Sequence, residues 1–529
     1  MALFSQAQDY SNYSSLGNRA QQLVKTYPSL VKLSSLTKTD GGKDIWMLTI
    51  GTGNAAQKPA VAVVGGVEGA HLLGVELAIG FAEELLAKSN TDSIKNLLNK
   101  QTFYVFPNLS PDATEQYFAK LKYARSGNAK PTDDDRDGKT NEDGFDDLNG
   151  DGKITMMRVE DATGEWITSS DDPRVLIKAD ITKGQKGKYL LFTEGIDNDK
   201  DGKFNEDGEG GVAFNKNMSY NYPNFEPGSG EHMVSEKENR ALLDFLFEAY
   251  NVYTVVSFGP FNNLSNPVSF NRAGVSKRII SSWYQEDVNT NETISKTYNK
   301  IVKGKNAPKT TGTPGNFADW AYFHYGRLSL STPGWWVPQT KPDTAKKQKA
   351  FTENNDEANY LRWAEQQKIE NTFTNWTSVK HPDFPNQKVE IGGIDAFAMI
   401  NPPYKLVPSL VKEHTQFIAT LATMAPELDL VNLKTEKLEG GLTRITVDVI
   451  NKGAIPTQTK VGEKSNWLKN IQVNLTTNGQ ILSGKANQTI GAIGGYGSQT
   501  LTWLIKASGK VTIKVQSPQN GTKSLDINL

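Results

Sequence analysis

Five short apolar runs constrain this chain most: IWMLTI (45–50), AVAVVGG (60–66), TFYVFPN (102–108), YTVVSFG (253–259) and RLSLST (327–332). Each is short for a helix, and the first four are mostly apolar. Amphipathic segments such as SEKENRALLDFLFEAY (235–250) and LVPSLVKEHTQFIATLATM (406–424) lie between them. Buried strands alternating with helices predict an α/β layer around a parallel or mixed sheet. Ser235 with Glu238 fits a capping box at the start of its helix.

After Pro426 the pattern changes. Segments such as NIQVNLTTNGQILSG and KVTIKVQS alternate apolar and polar residues between Gly/Asn turns, with no helical period. That texture predicts a small β-sandwich over 426–529, with Asn478-Gly479 as a hairpin turn. A single core is not expected to serve all 529 residues, so two domains, 1–425 and 426–529, are expected.

The charge balance, 58 Lys and Arg against 59 Asp and Glu for a net −1, offers no electrostatic case for nucleic acid or an anionic membrane. No apolar run approaches the roughly 20 residues of a membrane span. The absence of cysteine removes disulfides, thiolate metal sites and thiol nucleophiles together. The opening MALFSQAQDYSNY has neither a basic nor an apolar leader region. An extracellular or periplasmic location, with a signal segment already removed, is the expectation, because calcium loops are commoner outside the cytosol.

An internal repeat points to calcium. DDDRDGKTNEDG (133–144) and DNDKDGKFNEDG (197–208) place Asp133, Asp135, Asp137 and Asp197, Asp199, Asp201 at loop positions 1, 3 and 5. A third copy (147–155) has Asp147, Asn149 and Asp151. Glycine at position 6 allows the sharp turn, and the carbonyls of Lys139, Lys153 and Lys203 follow at position 7. Position 12 is Gly144, Arg158 or Gly208, so Glu142, Asp143, Glu206 and Asp207 are the expected remaining carboxylates. The loops form an insertion at about 127–210.

The run Pro59 to Val64 ends in Gly65-Gly66 and a charged turn, Glu68-Gly69-Ala70-His71, ahead of the helix-like stretch Leu73 to Ala87. With FPNLSPDATE (106–115), VAFNKNMSYNYP (212–223), GNFADWAYFHYGRLSLST (315–332), KVEIGG (388–393) and NPP (401–403), residues 10–425 resemble a bacterial branch of the zinc carboxypeptidases of the carboxypeptidase A/B type. The resemblance implies a carboxypeptidase-like mixed sheet flanked by helices, with two His and one Glu on zinc and a Glu as general base.

The matching positions hold other residues. The family's His-x-x-Glu becomes Glu68 and His71, and the third ligand falls on Gly259. The general base falls near Pro333, the mobile tyrosine near Thr311, and the substrate arginine on Lys216, which cannot make a bidentate fork. Zinc is therefore expected, if at all, on Glu68 and His71, with His232 as a further donor. The expected substrate contacts are Asn215, Lys216, Arg125, Trp335 and Trp336. No catalytic residue is assigned. The expectation is a catalytically silent, calcium-braced protein whose cleft binds peptide or glycan. The alternative is an active metallocarboxypeptidase-type hydrolase with a rearranged zinc site.

Overall fold

The computed structural model describes residues 9–134, 138–205, 208, 211–310, 312–341, 355–465 and 468–529. All five apolar runs are strands of one six-stranded sheet, in the order Val31–Lys38, Asp44–Ile50, Thr102–Phe106, Ala60–Val64, Val252–Phe258, Leu328–Thr332. The first three pair antiparallel and the last four parallel, which makes a mixed α/β sheet. Its parallel strands are buried along their whole length, as strands covered on both faces must be.

The helix Leu72–Ala87 is apolar almost all round and buried between the sheet and the helix Val407–Thr423. Gly80 permits that crossing, since a Cβ there would lie 2.7 Å from Val411 Cγ2. The capping box at Ser235 does not form. The helix runs Lys237–Glu248 without a side-chain cap, and Glu238 bonds elsewhere, to Asn128.

A second sheet was not legible in the sequence. Strands Met156–Glu160, Trp166–Thr168, Leu176–Lys178 and Tyr189–Thr193 of the acidic insertion join Phe373–Val379 and Val389–Ile394, all antiparallel. Met157, Val159, Val389 and Ile391 form its small core. The insertion is thus a folded layer, and the acidic loops hang from its strands.

Residues 428–528 form two four-stranded antiparallel sheets packed through one core that includes Ile445, Val447, Trp503, Val473 and Ile513. Asn478-Gly479 is not a hairpin: Ile471–Thr476 and Gln480–Ser483 lie in opposite sheets, so the turn carries the chain across the sandwich. Asp287 fastens the sandwich to the α/β unit by accepting the amides of Lys460 at 2.8 Å and Val461 at 3.1 Å.

Candidate functional site

The strand Ala60–Val64 delivers Glu68 and His71 to the C-terminal edge of the parallel strands, where open α/β sheets place ligands. Gly66, at φ +63°, turns the chain out of the sheet, and the His71 amide closes the turn on the Glu68 carbonyl at 3.1 Å. The two side chains do not bond to each other. Glu68 Oε1 accepts the Asn215 amide at 2.6 Å, and Asn215 Oδ1 accepts the Phe317 amide at 2.8 Å. Burial raises the Glu68 pKa against the opposing Asn215 hydrogen bond and Lys216 charge.

His71 is buried, with Nε2 3.0 Å from the Pro333 carbonyl. A carbonyl can only accept, so Nε2 carries the proton and Nδ1 holds the lone pair. Nδ1 has no hydrogen-bond partner and lies against Gly74, beside the Phe258 carbonyl. Burial pushes the ring's pKa down to about 4, in spite of those carbonyls. Nε2 is thus engaged by Pro333 and Glu68 Oε1 by Asn215, and no hydrogen bond joins either ring nitrogen to Glu68.

The rest of the expected site is closed by packing. A Cβ on Gly259 would lie 2.6 Å from Val67 Cγ2, so Val67 occupies the space an imidazole would need. At the base position, Gly334 takes φ +74°, and its Cβ would fall 2.3 Å from Leu77 Cδ1. The cavity between Val67, Asn215, Gly259, Phe317 and Ser331 measures only about 10 Å³. Among the described residues, one group of three or more His, Asp or Glu side chains comes within metal-binding spacing, and it is Asp197, Asp199 and Asp201. Glu68 and His71 therefore gain no third such donor there, and the set does not fit a tetrahedral zinc ion.

The other expected residues are dispersed. His232 is exposed, with Nδ1 on the Met233 carbonyl at 3.0 Å, and among the described residues it forms no metal-binding group with Glu68 and His71. Lys216 Nζ donates to the Pro227 carbonyl at 3.2 Å, and the Arg125 guanidinium to the carbonyls of Gly127 and Asn128. Trp335 packs on Trp363 at 5.5 Å while Trp336 Nε1 donates to the Lys305 carbonyl at 2.8 Å. The two tryptophans diverge and make no common platform. Only Asn215 meets Glu68.

The acidic loops divide into two kinds. In the third copy the protein satisfies its own carboxylates: Asp147 accepts the amides of Gly150, Asp151 and Gly152, and Asp151 that of Lys153. The Asn149 side chain accepts the Asp151 amide, and the Lys153 ammonium pairs with Asp395 at 2.8 Å. Asp143 likewise departs from its expected role. It is buried and takes the amides of Asn198 and Asn205, so it braces the second loop. In the first and second copies, Asp133 and Asp197 each accept the amide of the loop glycine through Oδ2, while Oδ1 is buried without a partner. Both Glu142 oxygens are sealed in the same way. Asp199 and Asp201 accept the amides of Asp201 and Lys203. The candidates Asp135, Asp137, Glu206 and Asp207, and also Thr311, lie outside the described residues.

Both ends of the insertion meet at Asn128. Its Oδ1 accepts the amides of Lys130 and Val212, and its Nδ2 donates to Glu236 at 2.9 Å and Glu238 at 2.8 Å. Glu238 Oε2 is buried without a partner, and burial, with Glu236 and Asp112 nearby, lifts the pKa to about 7. A carboxyl whose folded pKa is raised from 4.5 stabilises fully below that value and loses the contribution as pH rises through about 7. Glu238→Gln is expected to raise the melting temperature at pH well above 7 and leave it unchanged in acid. An equal shift at both ends of the range would refute the assignment.

Sequence reasoning missed Asn128, Glu236, Glu238 and Val67. The Glu-x-Glu spacing at the helix start signalled only Glu236 and Glu238, and a capping box explained it too readily; no local pattern pointed to Asn128 or Val67.

A family model described as zinc carboxypeptidase matches residues 18–334, and one described as a domain of unknown function (DUF8731) matches 427–528. A zinc carboxypeptidase of Saccharothrix mutabilis subsp. capreolus is 28% identical over 109 residues, 20% of this chain and 25% of that protein. Carboxypeptidase D of Drosophila melanogaster is 26% identical over 111 residues, 20% of this chain and 8% of that protein. The match therefore spans a quarter or less of these relatives. The crystal structure of carboxypeptidase A from Helicoverpa armigera aligns over 78% of this chain and 74% of that one, with 12% identity and a TM-score of 0.41.

Proposed function

The chain belongs to the zinc carboxypeptidase family, and from that premise we propose that it is a catalytically silent member, a calcium-braced protein that binds a peptide or glycan. One observation carries the reading. Glu68 and His71 are held by the Asn215 amide and the Pro333 carbonyl, while Val67 fills the third ligand's place. A hydrolytic zinc needs three protein donors facing one point and an open position for water. These side chains offer neither.

Calcium is the second half of the reading. The same oxygen at the same repeat position, Oδ1 of Asp133 and of Asp197, is buried and unpartnered in both copies, as are both oxygens of Glu142. Buried carboxylate charge without a partner is costly, and a cation relieves it. Loops of this kind suit the calcium levels of an extracellular or periplasmic setting.

The second reading, an active hydrolase with a rearranged site, draws on Glu68. A half-buried carboxyl with a raised pKa beside a lysine is a common catalytic feature. Metal analysis of the purified protein, together with a broad panel of peptides with free C-termini, separates the two. The silent reading expects substoichiometric zinc and no turnover. Stoichiometric zinc with turnover that Glu68→Gln abolishes would overturn it.

A further inference from the structure

The near-neutral balance of the whole chain conceals a local excess of positive charge. Residues 260–318 carry eight Lys and Arg against three Asp and Glu. Three of these cations, Arg272, Lys277 and Arg278, fall on one loop, 269–281, which holds no carboxylate. All three are exposed, and among the described residues none of them makes an ion pair or a side-chain hydrogen bond.

The loop is held in shape at its stem. The Asn271 amide donates to Ser282 Oγ at 2.9 Å, and the Ser281 amide to the Gly274 carbonyl at 3.1 Å. Gly274 is buried there, since a Cβ would lie 2.7 Å from Ser282 Cβ. Tyr220 donates its hydroxyl to the Ile280 carbonyl at 2.8 Å and pins the returning arm to the body of the protein. Beyond that stem most residues are exposed. A second basic loop, 303–309, is fastened beside the entry to the first. Asn266 Nδ2 donates to the Ala307 and Pro308 carbonyls at 3.2 and 2.9 Å. It adds the exposed Lys305 and Lys309, neither of which has an ionic partner among the described residues. The charge of Lys303 is offset by Glu413.

Two large apolar side chains share the loop with these cations. Ile279 is 72% exposed and Phe270 38%. A lone exposed apolar residue is ordinary on a protein surface. Here two of them flank three unpaired cations on one loop, and that combination selects among anionic partners. A nucleic acid or an acidic polypeptide gains mainly from the cations. An anionic bilayer uses both features. Cations meet the lipid phosphates, while apolar side chains enter the boundary between headgroups and acyl chains.

We propose that the loop 269–281, backed by 303–309, docks the protein on an anionic phospholipid surface. Arg272, Lys277 and Arg278 meet the lipid phosphates, and Ile279 and Phe270 enter the interface. The test is co-sedimentation of the full chain with phosphatidylcholine vesicles in which roughly a third of the lipid is phosphatidylglycerol, against vesicles of phosphatidylcholine alone. Binding should require the anionic lipid and weaken with added salt. It should be equal in calcium and in EGTA, because the acidic loops take no part in it.

A cation at a charged bilayer contributes about fivefold in affinity, so Arg272→Gln, Lys277→Gln and Arg278→Gln together should weaken binding about a hundredfold. The melting temperature should not change, since all three side chains are exposed and unpaired. The chain has no cysteine, so Ile279→Cys places a polarity-sensitive dye at that position alone. Its emission should shift to the blue on anionic vesicles, whereas the same dye on Leu482→Cys, an exposed position of the sandwich, should not shift. Binding that survives the triple substitution, that is equal on neutral lipid, or that appears only with calcium would overturn the proposal. So would an unshifted dye at position 279, or an equal shift at both labels. Tighter binding to an acidic polypeptide, with the dye at 279 left in water, would assign the loop to that partner instead.

Discussion

Chelation of calcium is expected to lower the melting temperature by several degrees and to open residues 131–211 to protease. Both oxygens of Glu142, with Oδ1 of Asp133 and of Asp197, are sealed from water and accept no hydrogen bond. Without a cation these charges repel at short range or take up protons. A ligand that binds only the folded state stabilises it by about 2.7 kcal/mol at a concentration a hundredfold above its Kd. The effect should centre on the insertion, because Asp143 carries the first loop's order to the second through the amides of Asn198 and Asn205. Glu142→Gln, which keeps the size and removes the charge, should blunt the response to chelator. Differential scanning fluorimetry with and without EGTA decides it. An unchanged transition, or a full response in E142Q, would remove calcium from the account.

Acidification should act on a different part of the molecule. His414 is buried, its Nδ1 on the Leu410 carbonyl at 2.8 Å and its Nε2 on the Tyr298 hydroxyl at 3.1 Å. Nδ1 therefore donates and Nε2 accepts, an arrangement open only to the neutral ring. Burial pushes the pKa down to about 4, whereas the unfolded chain protonates near 6.5. Stability is full above 6.5, declines as pH falls, and is lost once pH passes below about 4. The cost is about 3 kcal/mol at the acid end. His71 titrates in the same direction, while Glu238 opposes them. His414→Gln should lower stability at pH 7 yet roughly halve the loss between pH 7 and pH 4.5 in urea unfolding. A variant with the wild-type pH slope would show that this ring is not the sensor.

Five strands of the main sheet were legible because their burial leaves short apolar runs, as in Ala60–Val64 and Val252–Phe258, whereas the largely exposed edge strand Val31–Lys38 was not. Nor was the insertion's sheet. Its strands are short, and Met156–Glu160 pairs with Val389–Ile394, more than two hundred residues away, so neither shows a complete pattern alone. Asn478-Gly479 misled for a related reason: a turn dipeptide reports a reversal of the chain, not which sheet the next strand joins.

The candidate site divides in the same way. Residue identity alone raised the expectation of an exchange at Glu68 and His71, of a glycine at 259 in the third ligand's place, and of repeated acidic loops. Residue identity is enough for such expectations, because a chemistry that needs imidazole or carboxylate depends on the residue type at its position. Only the tertiary structure decided what those residues do instead. Glu68 meets Asn215 across 147 residues, and His71 meets Pro333 across 262. Asn128 ties the insertion's neck to Glu236 and Glu238. Hydrophobic periodicity and loop motifs are properties of neighbours along the chain. A buried carboxylate's partner is set by packing, which brings together residues whose local sequences carry no trace of each other.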